Sequence, residues 1–522
     1  MFRKLFSLLT IILMTTSPAA AQENEVAAAA ALDSVIRIFS HYDIVDNFVD
    51  EVFKKHKKSA SMATRIAKSY YSFVENPETK QRTYYRRDLP RAFSYIDKAL
   101  AINPKYSKAY IVASDIFFNE AKLDTAQMWL DKGIAVNPTD SALYIESAKL
   151  LAFTDPDAAV KKLMVLKQRD STFQVDLQLG RLYYNLYDKH GKLPMVEMAT
   201  AYGKVFDSND RSKLTLYDLS YFCMGLQFAG DLGNDRFSKL YEVTAYGIEQ
   251  YPKDFGLYHF HLLGCLNTQN YDEGIETMGK MKALPDSVKK LKDDDYLWYG
   301  SCLAGAKRYD DAIAQYEYVL AMNNAGEDRK TRAENLIVST LRSQVKELSA
   351  MGEYEQAVAL IEPYVLRSRE NGKQNDQLAN SLVRTYFEWS DELNGQEKLD
   401  IIAKGIKVSE EAVRYSELNA PMFLYYCCRY SWSDLDPEFK KSLALPYAEQ
   451  IISLLESKSD LSENERTFLV FSYRYMAAYE YLNRYAVQKI KNAKKTALAY
   501  AEKILDIDQT NEWALNFLAQ VH

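Results

Sequence analysis

Glycine and proline are scarce in this 522-residue chain, at 19 and 13. β-Sandwiches and barrels need such residues at every turn, so their shortage argues for long helices instead. Long apolar runs are missing as well. No segment after the amino terminus approaches 18 uninterrupted apolar residues, the length a membrane-spanning helix needs. Cations are not in excess: 65 Lys and Arg stand against 71 Asp and Glu, for a formal charge of −6. General nucleic-acid binding needs clustered cations to displace counterions, so it is not expected. Cysteine is limited to Cys223, Cys265, Cys302, Cys427 and Cys428. Five thiols cannot all pair within one chain. Buried free thiols are expected, because free cysteine behaves as a small apolar residue, although an oxidising compartment would leave a bridge open.

Chemical motifs are absent too. The sequence holds no phosphate-binding glycine loop, no G-x-S-x-G and no H-E-x-x-H. His259 and His261 are the only close histidine pair, and two residues apart on a helix they point to opposite sides. Ser343 to Lys346 fits S-x-x-K, but without supporting motifs it reads as chance. No catalytic residue, metal ligand or cofactor is expected.

What the chain does contain is typical of folded protein: 48% hydrophobic and 26% charged residues. Its first 21 residues stand apart. Arg3 and Lys4 precede a short apolar run, Leu5 to Met14, and Ala19-Ala20-Ala21 supplies the small residues of a cleavage site. This is the pattern of a secretory signal, with the mature chain starting near Gln22 and its charge moving from −6 to −8. No cysteine lies near that point, so a lipoprotein anchor is not expected. The location implied is periplasmic or secreted.

Internal periodicity carries the most information. Pro104 and Pro138 are 34 residues apart, as are Ala92 and Ala126, Ile96 and Leu130, and Ala99 and Gly133. Tyr110, Ala113, Ser114 and Phe117 fall at i, i+3, i+4 and i+7, one face of a helix. Each proline biases the preceding asparagine away from helical dihedrals and so ends a helix. The phrase Tyr309-Asp310-Asp311-Ala312-Ile313 returns as Tyr354-Glu355-Gln356-Ala357-Val358 and as Tyr271-Asp272-Glu273-Gly274-Ile275.

These residues resemble the tetratricopeptide repeat, a 34-residue helix–turn–helix unit. Tyr110, Ala113, Ser114, Phe117, Ala126, Leu130, Gly133 and Pro138 stand at its signature positions, and Leu179-Gly180 and Tyr183 match those of a later unit. The resemblance is strong over 92–140 and 255–365 and weak over 186–250 and 366–490. It implies an all-α fold, a right-handed solenoid of about seven to nine helical hairpins, some degenerate. The organisation expected is a signal over 1–21, a segment with a capping helix over 22–58, a solenoid over 59–365, and degenerate repeats with a cap over 366–522. Single hairpins cannot bury their apolar faces, so stacking makes the core.

The family binds ligands on its concave face, through fixed positions of the first helix of each hairpin. Here the resemblance points to Lys108, Ile111, Asp115, Phe118 and Asn119, then to Leu177, Arg181, Tyr184 and Asn185, and later to Arg342 and Lys346. The Lys/Asn arrangement that some members use for carboxyl tails is not reproduced. The partner implied is a protein or peptide, with glycan capture as the alternative and a hydrolase as a third reading that lacks any motif. Eleven of the 39 tyrosines, among them Tyr110, Tyr183, Tyr309 and Tyr316, fall on signature positions of the repeat, and the remaining rings are left to packing or to a binding surface. Two aromatic clusters, Tyr425, Tyr426, Tyr430 and Trp432, and then Tyr473, Tyr475, Tyr479, Tyr481 and Tyr485, read as packing stripes before stacking platforms. Residues 80–87 read as an irregular solvated extension, or as a loop that grips an anionic or glycan partner.

Overall fold

Short polar residues ahead of apolar-periodic stretches start the helices. Ser59 accepts a hydrogen bond from the Met62 amide, Asp140 from that of Ala142, and Asp254 from that of Leu257. Each satisfies one of the amides that a helix start leaves without a partner. Thr215 and Asp218 cap reciprocally, side chain to backbone in both directions. At the other ends, Asn103 and Asn137 leave helical dihedrals ahead of their prolines while their amides still bond back to Ala99 and Gly133.

The structure is a computed structural model that describes residues 18–38, 42–76, 79, 81–169, 173–186, 194–370 and 372–521. The expected signal over 1–21 lies mostly outside the described residues. No described helix is long and apolar enough to cross a membrane. The chain divides into two compact units, 1–268 and 269–522.

The first unit contains α1 (Pro18–Ile38), α2 (Tyr42–Lys55), α3 (Ala60–Tyr70), β1 (Tyr71–Glu75), β2 (Arg82–Arg87), α4 (Leu89–Ile102), α5 (Ser107–Asn119) and α6 (Leu123–Val136). It continues with α7 (Ser141–Thr154), α8 (Pro156–Arg169), α9 (Phe173–Asn185), α10 (Met195–Phe206), α11 (Leu216–Phe228), α12 (Asp235–Gln250) and α13 (Phe255–Asn267). Five antiparallel hairpins follow, α3–α4, α5–α6, α7–α8, α9–α10 and α11–α12, each packed on the next, and α13 packs on α12. The first helices α3, α5, α7, α9, α11 and α13 also touch one another in that order, so they form one continuous face.

The second unit runs α14 (Tyr271–Ala283), α15 (Asp293–Gly305), α16 (Tyr309–Ala321), α17 (Glu327–Ala350), α18 (Tyr354–Glu370), α19 (Asp376–Asp391) and α20 (Gly395–Tyr415). Then come α21 (Ala420–Tyr430), α22 (Leu445–Leu455), α23 (Glu463–Ala478), α24 (Lys491–Ile507) and α25 (Glu512–Val521). Its hairpins are α15–α16, α17–α18, α19–α20, α21–α22 and α23–α24. The stretches 195–250 and 376–478, where the signature drifts, therefore also fold as hairpins. Packing of small against large side chains holds them without the full set of consensus residues.

That packing is close. A methyl on Gly133 would stand 2.8 Å from Leu143 Cδ2 and 3.0 Å from Tyr110 Cβ, so glycine is what lets α6 meet α5 and α7. Tyr202, Phe222, Tyr316 and Phe423 are fully buried, each worth about 2–3 kcal/mol of apolar burial. All five cysteines are buried and unbridged. Burial pushes the Cys302 and Cys427 thiols up to about 12, which suppresses the reactive thiolate. His261 is buried against Thr244, with Nδ1 2.8 Å from the hydroxyl.

Residues 82–87 are a strand, which corrects the expectation of an irregular extension. β1 and β2 pair antiparallel, Tyr71 opposite Arg87 and Glu75 opposite Arg82. Tyr71, Phe73 and Tyr84 cluster on one side, with ring centroids 5.3–6.3 Å apart. β-Branched and aromatic residues favour a pleated surface, and two such runs here flank a polar turn. The described cations are engaged by the fold. Arg82 pairs with Glu75 at 2.9 Å, Arg87 grips Glu120 through two bonds of 2.9 and 2.6 Å, and Arg86 is buried.

Candidate functional site

The face built by consecutive first helices in the first unit carries the candidate residues of α5 and α9. On α5, Lys108, Asp115 and Phe118 are exposed, whereas Ile111 and Asn119 are half-buried. The Asn119 amide donates to the Asp115 carbonyl one turn back, at 2.6 Å. On α9, Tyr184 is exposed and Arg181 half-exposed. Leu177 is only 6% exposed, which removes it from the candidate surface. An apolar side chain flanked by Asp176 and Leu179, both buried, is drawn into the contact with neighbouring helices. The Asn185 side chain lies outside the described residues.

Aromatic rings join adjacent first helices along this face. Phe118 of α5 meets Phe153 of α7 with centroids 5.6 Å apart, and Tyr184 of α9 stacks on Tyr221 of α11 at 4.1 Å. Phe153 is 72% exposed and Tyr217, one turn from Tyr221, is 74% exposed. Water contact with this much aromatic surface in one stripe is unfavourable, and covering it is worth roughly 25 cal/mol per Å². Beside Phe153, a cavity of about 370 Å³ opens between α7, α8 and α9, walled by Ile145, Ala148, Leu163 and Leu182. Lys149 and Arg181 stand at its edge.

Arg181 is held by a carboxylate. Its Nε and Nη2 each lie 2.7 Å from an oxygen of Asp218, which is almost fully buried at the start of α11. This fork fixes α9 against α11 and leaves the guanidinium only partly available to a ligand.

Asp115 has the opposite character. Its side chain reaches solvent, yet the walls of the groove crowd it and exclude much of the surrounding water. That crowding, together with the nearby Glu146 carboxylate, raises its pKa to about 6 against partial relief from Lys68 and Lys149. A folded-state value above the ordinary carboxylate value means that folding takes up a proton between pH 4 and 6. The ionised side chain therefore costs stability above pH 6, and the cost vanishes below pH 4. Asp115→Asn is expected to raise stability at pH 7.5, by up to about 1 kcal/mol after allowance for solvent screening, and to leave it unchanged at pH 4. Paired thermal melts at the two pH values check this.

Arg342 and Lys346 belong to the second unit, one turn apart on α17 and both exposed. Arg342 donates to the Gln377 side chain at 3.0 Å. The two aromatic clusters singled out in the sequence are mostly packing. Phe387 stacks on Tyr430 at 3.8 Å and on Tyr426 at 5.7 Å, and Trp432 meets Tyr475 edge-on at 5.3 Å. Tyr473 donates to Glu456 at 3.0 Å. Sequence reasoning missed Phe153, Glu146, Lys149 and Tyr221. All four lie on first helices, where matching positions in the well-conforming hairpin of α5 could have pointed to them.

No protein-family model matches the chain, and no curated protein sequence does. Among solved structures, the C-terminal part of a TPR repeat-containing protein from Cytophaga hutchinsonii is 17% identical over 56% of this chain and 99% of its own, with a TM-score of 0.34. A tetratricopeptide repeat protein from Parabacteroides merdae is 13% identical over 48% of this chain and 93% of its own, with a TM-score of 0.26. The hairpin order, the row of touching first helices and the residues at the signature positions agree on one architecture: the chain is an all-α array of tetratricopeptide-type helical hairpins.

Proposed function

We propose that this chain is a non-catalytic scaffold of the bacterial cell envelope that binds a protein or peptide along the first helices of its hairpins. The observation that carries this reading is the row of exposed rings Phe118, Phe153 and Tyr184 with half-buried Tyr221, paired across successive first helices, with an apolar cavity beside Phe153. Pre-positioned aromatic rings give large contact area at low entropic cost. An extended segment would lay an apolar side chain into the 370 Å³ cavity, and Lys149 at its edge would meet a polar or acidic neighbour. Binding is an equilibrium on a preformed surface with no covalent step. The envelope location rests on the amino-terminal sequence pattern.

Crosslinking in intact cells, followed by purification and mass spectrometry, tests this reading. A stoichiometric protein partner is expected, and Phe153→Ala with Tyr184→Ala should abolish its capture while the chain stays folded. Recovery of the chain alone under efficient crosslinking would overturn the reading. Glycan capture is the second reading, favoured by the 74% exposed ring of Tyr217 beside the Tyr184–Tyr221 stack. Saturable binding of an oligosaccharide that quenches with those rings would select it.

A further inference from the structure

The second unit holds a larger cavity that the reading above does not use. It measures about 1030 Å³ and lies where α23, the end of α24 and the start of α25 meet. Val470, Phe471 and Trp513 supply its apolar wall. Arg466 and Arg474 stand on the same face of α23, two turns apart, and both border the cavity.

Neither arginine has a carboxylate within ion-pair distance among the described residues, whereas Arg181, Arg329 and Arg369 each do. Arg474 instead lies over two rings, 5.2 Å from the Trp513 centroid and 6.0 Å from that of Trp432. Partial burial lowers its pKa, with no acidic neighbour to offset the effect. The acids that border the cavity do not serve these cations. Asp508 accepts from Thr510 and Asn511, and Glu463 and Glu512 sit in the first turns of their helices, where the backbone dipole favours them.

Two cations without a paired carboxylate, one of them held over aromatic rings, at the edge of a cavity with an apolar wall, specify a ligand by charge and by spacing. Eight residues of helix separate them, about 12 Å along the axis. An extended chain advances about 3.3 Å per residue and returns a side chain to the same side every second residue. Four residues therefore cover the distance. We propose that this cavity binds an extended acidic segment of a partner protein, with carboxylates at i and i+4 paired to Arg466 and Arg474 and an apolar side chain at i+2 against Val470, Phe471 and Trp513. The site is independent of the groove in the first unit, so either can fail alone.

A fluorescently labelled nine-residue peptide, capped at both ends, with glutamates at its third and seventh positions and leucine at its fifth, is titrated against the full chain by anisotropy. Saturable binding is expected. Arg466→Gln or Arg474→Gln should weaken it roughly tenfold each, as for loss of one charge-assisted pair. The double variant should weaken it roughly a hundredfold. A peptide with its two glutamates adjacent should lose about as much as one arginine substitution does. Both arginines are exposed, so an unchanged melting temperature confirms that the variants fold. Absence of saturable binding, equal affinity for the double variant, indifference to glutamate spacing, or displacement by equimolar inorganic phosphate would each overturn the proposal.

Discussion

Arg181→Ala is expected to destabilise the first unit by about 3 kcal/mol, far more than loss of an exposed ion pair. The cause lies with the partner. The Asp218 carboxylate is 2% exposed and accepts two guanidinium bonds of 2.7 Å, with further bonds from the Thr215 amide at 2.9 Å and hydroxyl at 2.7 Å. Removing the arginine leaves a buried charge with only the threonine and a distant Tyr202 hydroxyl to stabilise it. Asp218→Ala removes its half of the α11 capping box as well and should cost at least as much. The double variant should be no worse than Asp218→Ala alone, because the two side chains act as one unit. Urea unfolding of the three variants, read against the parent, checks the set.

Acidity sharpens the same test. Burial pushes the Asp218 carboxyl up, but the bonds from Arg181 and Thr215 outweigh burial and hold it below its ordinary value. A depressed carboxylate contributes stability that is fully present above about pH 4 and is lost as pH falls through its native value. The gap between the parent and Arg181→Ala should therefore be widest near neutrality and close below pH 4. A gap that stays constant would mean that α9 and α11 are held by packing alone. It follows that Arg181 is a poor probe of ligand binding, since its loss acts first on the fold. Phe153 and Tyr184, which bear no buried charge, are the cleaner choices.

Much of the fold was legible in the sequence, because one structural unit repeats and each repeat writes its own small and large positions. Pro104 and Pro138 mark helix ends where the chain does turn, and Ala113, Ala126 and Gly133 are where helices touch. The β1–β2 hairpin escaped notice because its cations suggested a solvated loop. Whether Arg82 and Arg87 face water or pair with Glu75 and Glu120 depends on residues up to 33 positions away. The candidate groove was legible only in part. The repeat resemblance pointed to Asp115 and Phe118, which are exposed, and equally to Leu177, which neighbouring helices cover in α9. Nothing local says that Asp115 is crowded and faces Glu146, or that Arg474 lies over two tryptophans, since both statements concern what other helices bring to the spot.

Gly300 and Tyr316 offer the strictest test of that repeat logic. Tyr316 is fully buried between α15 and the following hairpin, and its hydroxyl reaches Ser301 at 3.3 Å. A methyl on Gly300 would stand 2.5 Å from Tyr316 Cε1, closer than carbon atoms approach without displacement. Gly300→Ala should gain about 1 kcal/mol of helix propensity and lose more to overlap, for a net cost of about 1–2 kcal/mol. Tyr316→Ala should cost about 3–5 kcal/mol through the cavity it leaves. Combined, the two should cost less than their sum, because the vacated ring space accepts the new methyl. The shortfall measures the contact directly. Strict additivity in denaturant unfolding would show that α15 and α16 adjust independently, and would remove the close small-against-large fit as the reason this hairpin holds together.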